Sequence, residues 1–139
     1  TSLSGMVQSL GYAFGAIGAW MYNSSLGIRA DENSPGFKHF LLQPETDPTG
    51  KISFARGYYD SLYGRIESSW KKDAGFTTYR FVVPANTTAT LRLPHANSRE
   101  IRCNGKKTAD IKSIRSLGNE NENVVYLLGS GEFTFRISH

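Results

Sequence analysis

The chain has 139 residues, 39% of them apolar, with 16 Lys and Arg against 12 Asp and Glu, a net charge of +4. That length accommodates one β-rich domain of ordinary size with a helical appendage. The single Cys103 excludes an internal disulfide and a thiolate zinc site without fixing the compartment, no run of about 18 apolar residues offers a membrane span, and the basic residues are too scattered for a nucleic-acid footprint.

The chain opens at Thr1 rather than Met and shows no signal-peptide pattern. It is expected to be a piece of something longer. Residues 5–25 form the first predicted element. Met6, Leu10, Phe14, Ile17 and Met21 recur at spacings of three and four, which fits one face of a helix. Ser4 stands where a cap belongs. Gly11, Gly15 and Gly18 share a second stripe. Each interior Gly costs roughly 1 kcal/mol against Ala in a helix, so this helix needs neighbours that exploit the close approach. No second helix is visible downstream, and its partners are expected upstream. Gly27, within Leu26-Gly27-Ile28, reads as the helix stop.

Arg29 to Gly36 reads as a polar loop with a Pro-Gly turn. Phe37 to Gln43 reads as a strand with apolar residues on both faces, and Pro44 to Gly50 as a long turn. From Lys51 the pattern becomes strand, turn, strand. Ile52, Phe54, Arg56 and Tyr58 alternate with small or polar neighbours. Asp60 to Gly64 is a turn, and Ile66, Ser68 and Trp70 face away from Arg65, Glu67 and Ser69. Asp73-Ala74-Gly75 joins two strands. Tyr79, Phe81 and Val83 alternate with Thr78, Arg80 and Val82. After Pro84-Ala85-Asn86, Thr87 to Leu93 turns Ala89, Leu91 and Leu93 inward. Further strands are predicted at 100–103, 111–117, 124–128 and 132–137, with a strong hairpin signal at Asn104-Gly105. Short strands separated by Gly, Pro and Asn turns, with no fixed repeat, predict a mainly β, antiparallel β-sandwich preceded by one helix.

The search for chemistry is less productive. Asp31, Glu32, Asp60 and Glu67 are carboxylates that nothing in the sequence forces to converge across a sugar. His39, His95 and His139 match no metal-ligand spacing. Cys103 has no evident activating partner. No nucleophile elbow or phosphate-cradling loop occurs. Hence no catalytic residue, metal or cofactor is assigned. Tyr58, Tyr59, Tyr63 and Trp70 cluster around one hairpin and are the carbohydrate-contact candidates, because aromatic faces stack on the apolar C–H patches of sugars. The same residue types fill sandwich cores with a polar end that finds a partner, and core or interdomain packing is the stronger of the two readings.

Four stretches then act together. S-L-G-Y-A-F-G-A-I-G-A-W-M-Y, G-I-R-A-D-E-N-S-P-G-F-K-H-F-L-L-Q-P, A-R-G-Y-Y-D-S-L-Y-G-R-I-E-S-S-W and V-P-A-N-T-T-A-T-L-R-L-P occur in this order. Together they resemble the C-terminal end of glycoside hydrolase family 78, the bacterial α-L-rhamnosidases. The resemblance implies that residues 1–28 hold the terminal helix of a truncated (α/α)6 barrel, 29–36 a linker loop, and 37–139 the C-terminal β-sandwich. It implies a parent that hydrolyses terminal α-L-rhamnosides with inversion; the compartment stays open, with the periplasm or the outside of the cell favoured over the cytoplasm. Its catalytic carboxylates would lie in the upstream barrel, which would be the sandwich's partner, with rhamnose-containing carbohydrate as a second one. Family members carry Asn-His just before Tyr-Ala-Phe-Gly, where this chain has Leu10 and Gly11. No catalytic residue is therefore carried over, and the chain by itself is expected to be inactive.

Overall fold

The computed structural model describes residues 26–31, 38–46, 53–96 and 99–138. The expected helix of residues 5–25, with Leu10 and Gly11, lies outside them. The described residues form eleven strands: β1 (Ile28–Ala30), β2 (His39–Leu42), β3 (Phe54–Ser61), β4 (Gly64–Lys72), β5 (Phe76–Val83), β6 (Thr88–Leu93), β7 (Ile101–Cys103), β8 (Lys106–Lys107), β9 (Ile114–Glu120), β10 (Asn123–Leu128) and β11 (Gly131–Ser138). They build two sheets. The first has the order β1-β2-β6-β10-β9, and the second β3-β4-β5-β11-β7-β8.

One core lies between the sheets. The first contributes Phe40, Leu42, Leu91, Leu93, Tyr126 and Leu128, and the second Ile66, Trp70, Phe81, Phe133 and Phe135 among others. The Tyr126 ring stacks across the interface on Phe135, with centroids 5.7 Å apart. Phe135 also meets Phe81 edge-on at 6.1 Å. These contacts follow from alternation. In β5 every second residue is buried and the intervening ones are half-exposed, as a sheet with one covered face requires.

The sequence places bulky residues of β3 on the same face as one another, and the structure turns that face outward. Ala55 and Gly57 are the buried ones, while Phe54 is 47% exposed. The reason lies across the strand pair. Ala55 is in register with Trp70, and Gly57 with Ser68. A small residue beside the indole leaves room for it, and Trp70 is only 2% exposed.

The turns explain the register. Asn104 and Gly105 have φ of +52° and +78°, the conformation of a tight hairpin. Asn104 also extends the β7–β11 ladder, donating its N–H to the Thr134 carbonyl while its side-chain oxygen accepts from the Thr134 N–H, both at 2.9 Å. At the β3–β4 tip, the Ser61 hydroxyl donates to the Gly64 carbonyl at 2.7 Å and accepts from Tyr63 N–H at 3.2 Å. The turn is thereby shorter than predicted, and Asp60 belongs to the strand.

Three further expectations are corrected. Ile28–Ala30, read as the end of the helical region and the start of a loop, is an edge strand antiparallel to β2, with Ile28 opposite Leu42. Three residues are too few to display a period. The sandwich is not wholly antiparallel, because β2 runs parallel to β6, His39 opposite Thr88. Those two strands are separated in sequence by three strands of the other sheet, so no hairpin dictates their direction. The strand expected at 111–117 begins instead at Ile114. Before it, a 3-10 turn at Thr108–Asp110 and a bond from Ile114 N–H to the Ile111 carbonyl delay the extended run. Gly118, at φ +95°, accompanies a register shift between β9 and β10.

The segment that leads into the sandwich touches both sheets. The buried Leu26 carbonyl accepts from the Ser68 hydroxyl of the second sheet at 2.7 Å. The next carbonyl, that of Gly27, accepts from Gln43 N–H beside the first sheet at 2.9 Å. Gly27 has φ +68°, and a Cβ there would fall on the Gln43 backbone. Gly105 has a comparable φ of +78° but open space around it. Gly27→Ala is therefore expected to cost roughly 2–4 kcal/mol in equilibrium urea unfolding, and Gly105→Ala only about 1 kcal/mol. Equal losses would eliminate the collision as the cause.

Candidate functional site

The outer face of the second sheet carries the side chains that are able to meet a ligand. Register places them in rows across the strands. One row runs Arg56, Ser69, Arg80, Thr134 through β3, β4, β5 and β11. The next holds Tyr58, Glu67, Val82 and Glu132 on the same strands. On the other side lie Phe54, Lys71, Thr78 and Arg136. Strands stand about 4.8 Å apart, so each row presents closely spaced groups.

Two shallow cavities share this face. One, of about 500 Å³, is lined by Arg56, Tyr58, Glu67, Ser69 and Arg80 among others. The other, of about 450 Å³, adds Phe54, Lys71 and Thr78 while keeping Arg56, Ser69 and Arg80. Arg80 reaches Glu67 at 3.4 Å and Glu132 at 3.1 Å. At the far end, the Arg65 guanidinium donates to Asp60 at 3.0 Å and lies 3.9 Å over the Tyr58 ring. The Asp60 contact raises the already high pKa of Arg65 further, so its charge is fixed at any working pH.

The four aromatic candidates separate. Trp70 is in the core, and Tyr59 is half-buried against it. Tyr58 is half-buried on the outer face, beside the larger cavity. Tyr63, 41% exposed, sits next to Leu62, 90% exposed, at the tip of the β3–β4 hairpin. The strand period divides them: Tyr58 and Tyr59 are neighbours and must face opposite ways. The sequence groups these residues without assigning faces. It also passes over Phe54, Lys71 and Arg80, which register brings to the same cavities.

The remaining candidates find partners. His39, on β2, bonds the Thr88 and Thr90 hydroxyls at 2.6 and 2.9 Å, with Asp31 4.0 Å from its Nε2. His95 pairs with Glu122 at 2.8 Å. Among the described residues no three His, Cys, Asp or Glu side chains gather as metal ligands would. Cys103 is fully buried in the core. Burial pushes its thiol up to about 11, with a backbone bond at Thr134 pulling weakly the other way. A thiol held protonated this way is not a nucleophile at neutral pH.

Comparison with known proteins gives a consistent result. The family model for the bacterial alpha-L-rhamnosidase C-terminal domain matches residues 27–108. An alpha-L-rhamnosidase from Formosa agariphila is 29% identical over 128 residues, 92% of this chain and 13% of that protein. One from Streptomyces avermitilis is 32% identical over 83 residues, 60% of this chain and 8% of its own length. This chain thus spans a small part of the relatives it matches. The crystal structure of Streptomyces avermitilis alpha-L-rhamnosidase complexed with L-rhamnose aligns over 90% of this chain and 11% of its own, with TM-score 0.69 and 26% identity. The alpha-L-rhamnosidase of Dictyoglumus thermophilum shares the fold, with TM-score 0.69 at 22% identity over 91% of this chain and 14% of its own.

Two outcomes follow from burial. Trp70→Ala is expected to cost about 3–5 kcal/mol of stability, and Tyr63→Ala less than about 0.5 kcal/mol, as read by urea unfolding. Comparable losses would contradict the placement of these two rings. Stability is also expected to fall as pH rises. The folded-state pKa of Cys103 is raised to about 11 from 9.0, and burial raises that of Tyr79 as well. Between those thiol values the unfolded chain releases a proton that the folded chain keeps, so the contribution is complete below pH 9 and lost by pH 11. Urea midpoints measured from pH 8 upward should decline less steeply for Cys103→Ala, and an identical slope would refute the assignment.

Proposed function

The chain belongs to the bacterial alpha-L-rhamnosidase C-terminal domain family, and on that premise we propose that its sandwich is a non-catalytic accessory domain of a longer enzyme that hydrolyses terminal α-L-rhamnosides with inversion. The observation that carries the non-catalytic reading is the Glu67–Arg80–Glu132 bridge. Inverting hydrolysis needs two carboxyl groups about 6.5–9.5 Å apart with room for a water and a sugar between them. Glu67 and Glu132 lie two strands apart beside a cavity, but Arg80 bonds both. One guanidinium occupies the space between them, where a water and a sugar would have to fit. The work assigned to the domain is mechanical. It would pack beside an upstream helical barrel and hold the end of that barrel's chain through Leu26 and Gly27.

A second reading has its own support, the open cavity beside Tyr58. On this reading the sandwich also binds carbohydrate, with Tyr58 rather than the buried Trp70 as the ring available to a sugar.

The purified 139-residue chain is expected to show no release of nitrophenol from p-nitrophenyl α-L-rhamnoside above the rate in buffer. Turnover by this chain that Glu67→Gln abolishes would overturn the accessory role.

A further inference from the structure

Part of the outer-face charge is neutralised by neighbouring acids. Arg80 is bridged to Glu67 and Glu132, Arg65 to Asp60, and Arg102 to Glu100. Arg136 lies over the Phe76 ring at 3.6 Å. Arg56 and Lys71 differ. Both are exposed, both line the smaller cavity, and neither has an ion-pair partner among the described residues. They are diagonal neighbours, because Arg56 is opposite Ser69 and Phe54 is opposite Lys71. Such diagonal positions lie about 7–8 Å apart, a span that an Arg and a Lys close easily on one carboxylate. Around them stand Phe54, 47% exposed, and the hydroxyl-bearing Ser69 and Thr78.

We propose that the patch formed by Phe54, Arg56, Ser69 and Lys71 binds an acidic sugar, a uronate ring whose carboxylate lies between Arg56 and Lys71. The uncompensated charge selects an anion over a neutral sugar. Arg offers the fork that a carboxylate fills, and Lys a point charge beside it. Phe54 supplies an apolar platform for ring C–H groups, and Ser69 and Thr78 supply hydroxyls for the ring oxygens. The shape is shallow and open, which suits a glycan chain lying along the sheet. A docked protein surface would have to cover the Glu67–Arg80–Glu132 bridge and bear the desolvation of its charges. Nucleic acid is disfavoured because Arg56 and Lys71 fall short of the clustered basic footprint that it needs. The proposal rests on the carbohydrate-binding reading only in taking a sugar as the carrier of the anion, and it names the sugar's class.

Calorimetric titration of the 139-residue chain tests it, with tetragalacturonate, a neutral rhamnose-containing tetrasaccharide and sodium sulfate as probes. Tetragalacturonate is expected to bind at least about tenfold more tightly than the neutral sugar, and more weakly as salt rises from about 50 to about 300 mM. Arg56→Ala and Lys71→Ala should each weaken it about five- to tenfold, and Phe54→Ala should weaken it with little change in salt dependence. All three residues are exposed, and unchanged thermal midpoints would show the fold intact. Sulfate binding as tight as tetragalacturonate would overturn the sugar assignment. Neutral-sugar binding that is as tight, and indifferent to Arg56→Ala, would overturn this inference and leave carbohydrate binding standing. Absence of binding to either sugar would overturn both.

Discussion

Two consecutive carbonyls hold this sandwich to the chain that leads into it. Leu26 gives its oxygen to Ser68 in one sheet, and Gly27 gives its oxygen to Gln43 beside the other. Both residues are buried. A carbonyl shut away from water without a donor costs about 1–3 kcal/mol, so the segment is fixed by what it stands to lose. The positive φ of Gly27 and its contact with the Gln43 backbone follow from serving both sheets within one residue step. Much else adapts to this tie. β3 turns Ala55 and Gly57 inward, and β4 buries the Ser68 hydroxyl instead of a larger apolar group.

The inner and outer faces of the second sheet then divide the labour. Inside, Trp70, Phe81, Phe133 and Phe135 fill volume, and the aromatic contacts run through Phe135 to Tyr126 of the opposing sheet. Outside, on the same strands, charge alternates with hydroxyls, and Arg65 and Arg80 are matched to acids on adjacent strands. Small residues under β3 are what place Phe54, Arg56 and Tyr58 together on the exposed side. A recognition surface and a packed core are thus two sides of one alternation, separated by the thickness of a backbone.

The fold is legible in the sequence where one local rule decides. The β4, β5 and β6 alternations, the strands near 124–128 and 132–137, the Asn104-Gly105 turn and the inward set Ala89, Leu91, Leu93 stand as the pattern suggests. It is not legible where the deciding contact is distant. Ile28–Ala30 is a strand because β2 is beside it. The site was half legible. Tyr58 and Trp70 are near one another in sequence, yet only the pairing of β3 with β4 shows that one is outside and the other buried. Lys71 and Arg80 join Arg56 through register across three strands, a relation that no window along the chain contains.

The parallel pairing of β2 with β6 bears on the order in which the molecule can assemble. β1 and β2 form a local hairpin-like pair, but their place in the first sheet depends on Thr88 to Leu91, with His39 and Thr88 49 residues apart. Closing a loop that long carries an entropic cost that grows slowly with length but must be met before the contact rewards it. The intervening β3, β4 and β5 make an antiparallel meander of their own, and forming it shortens the effective loop. During synthesis the leading segment would therefore stay unanchored until the meander and β6 have emerged. The junction with whatever precedes Leu26 is sealed late, by strands made well after it.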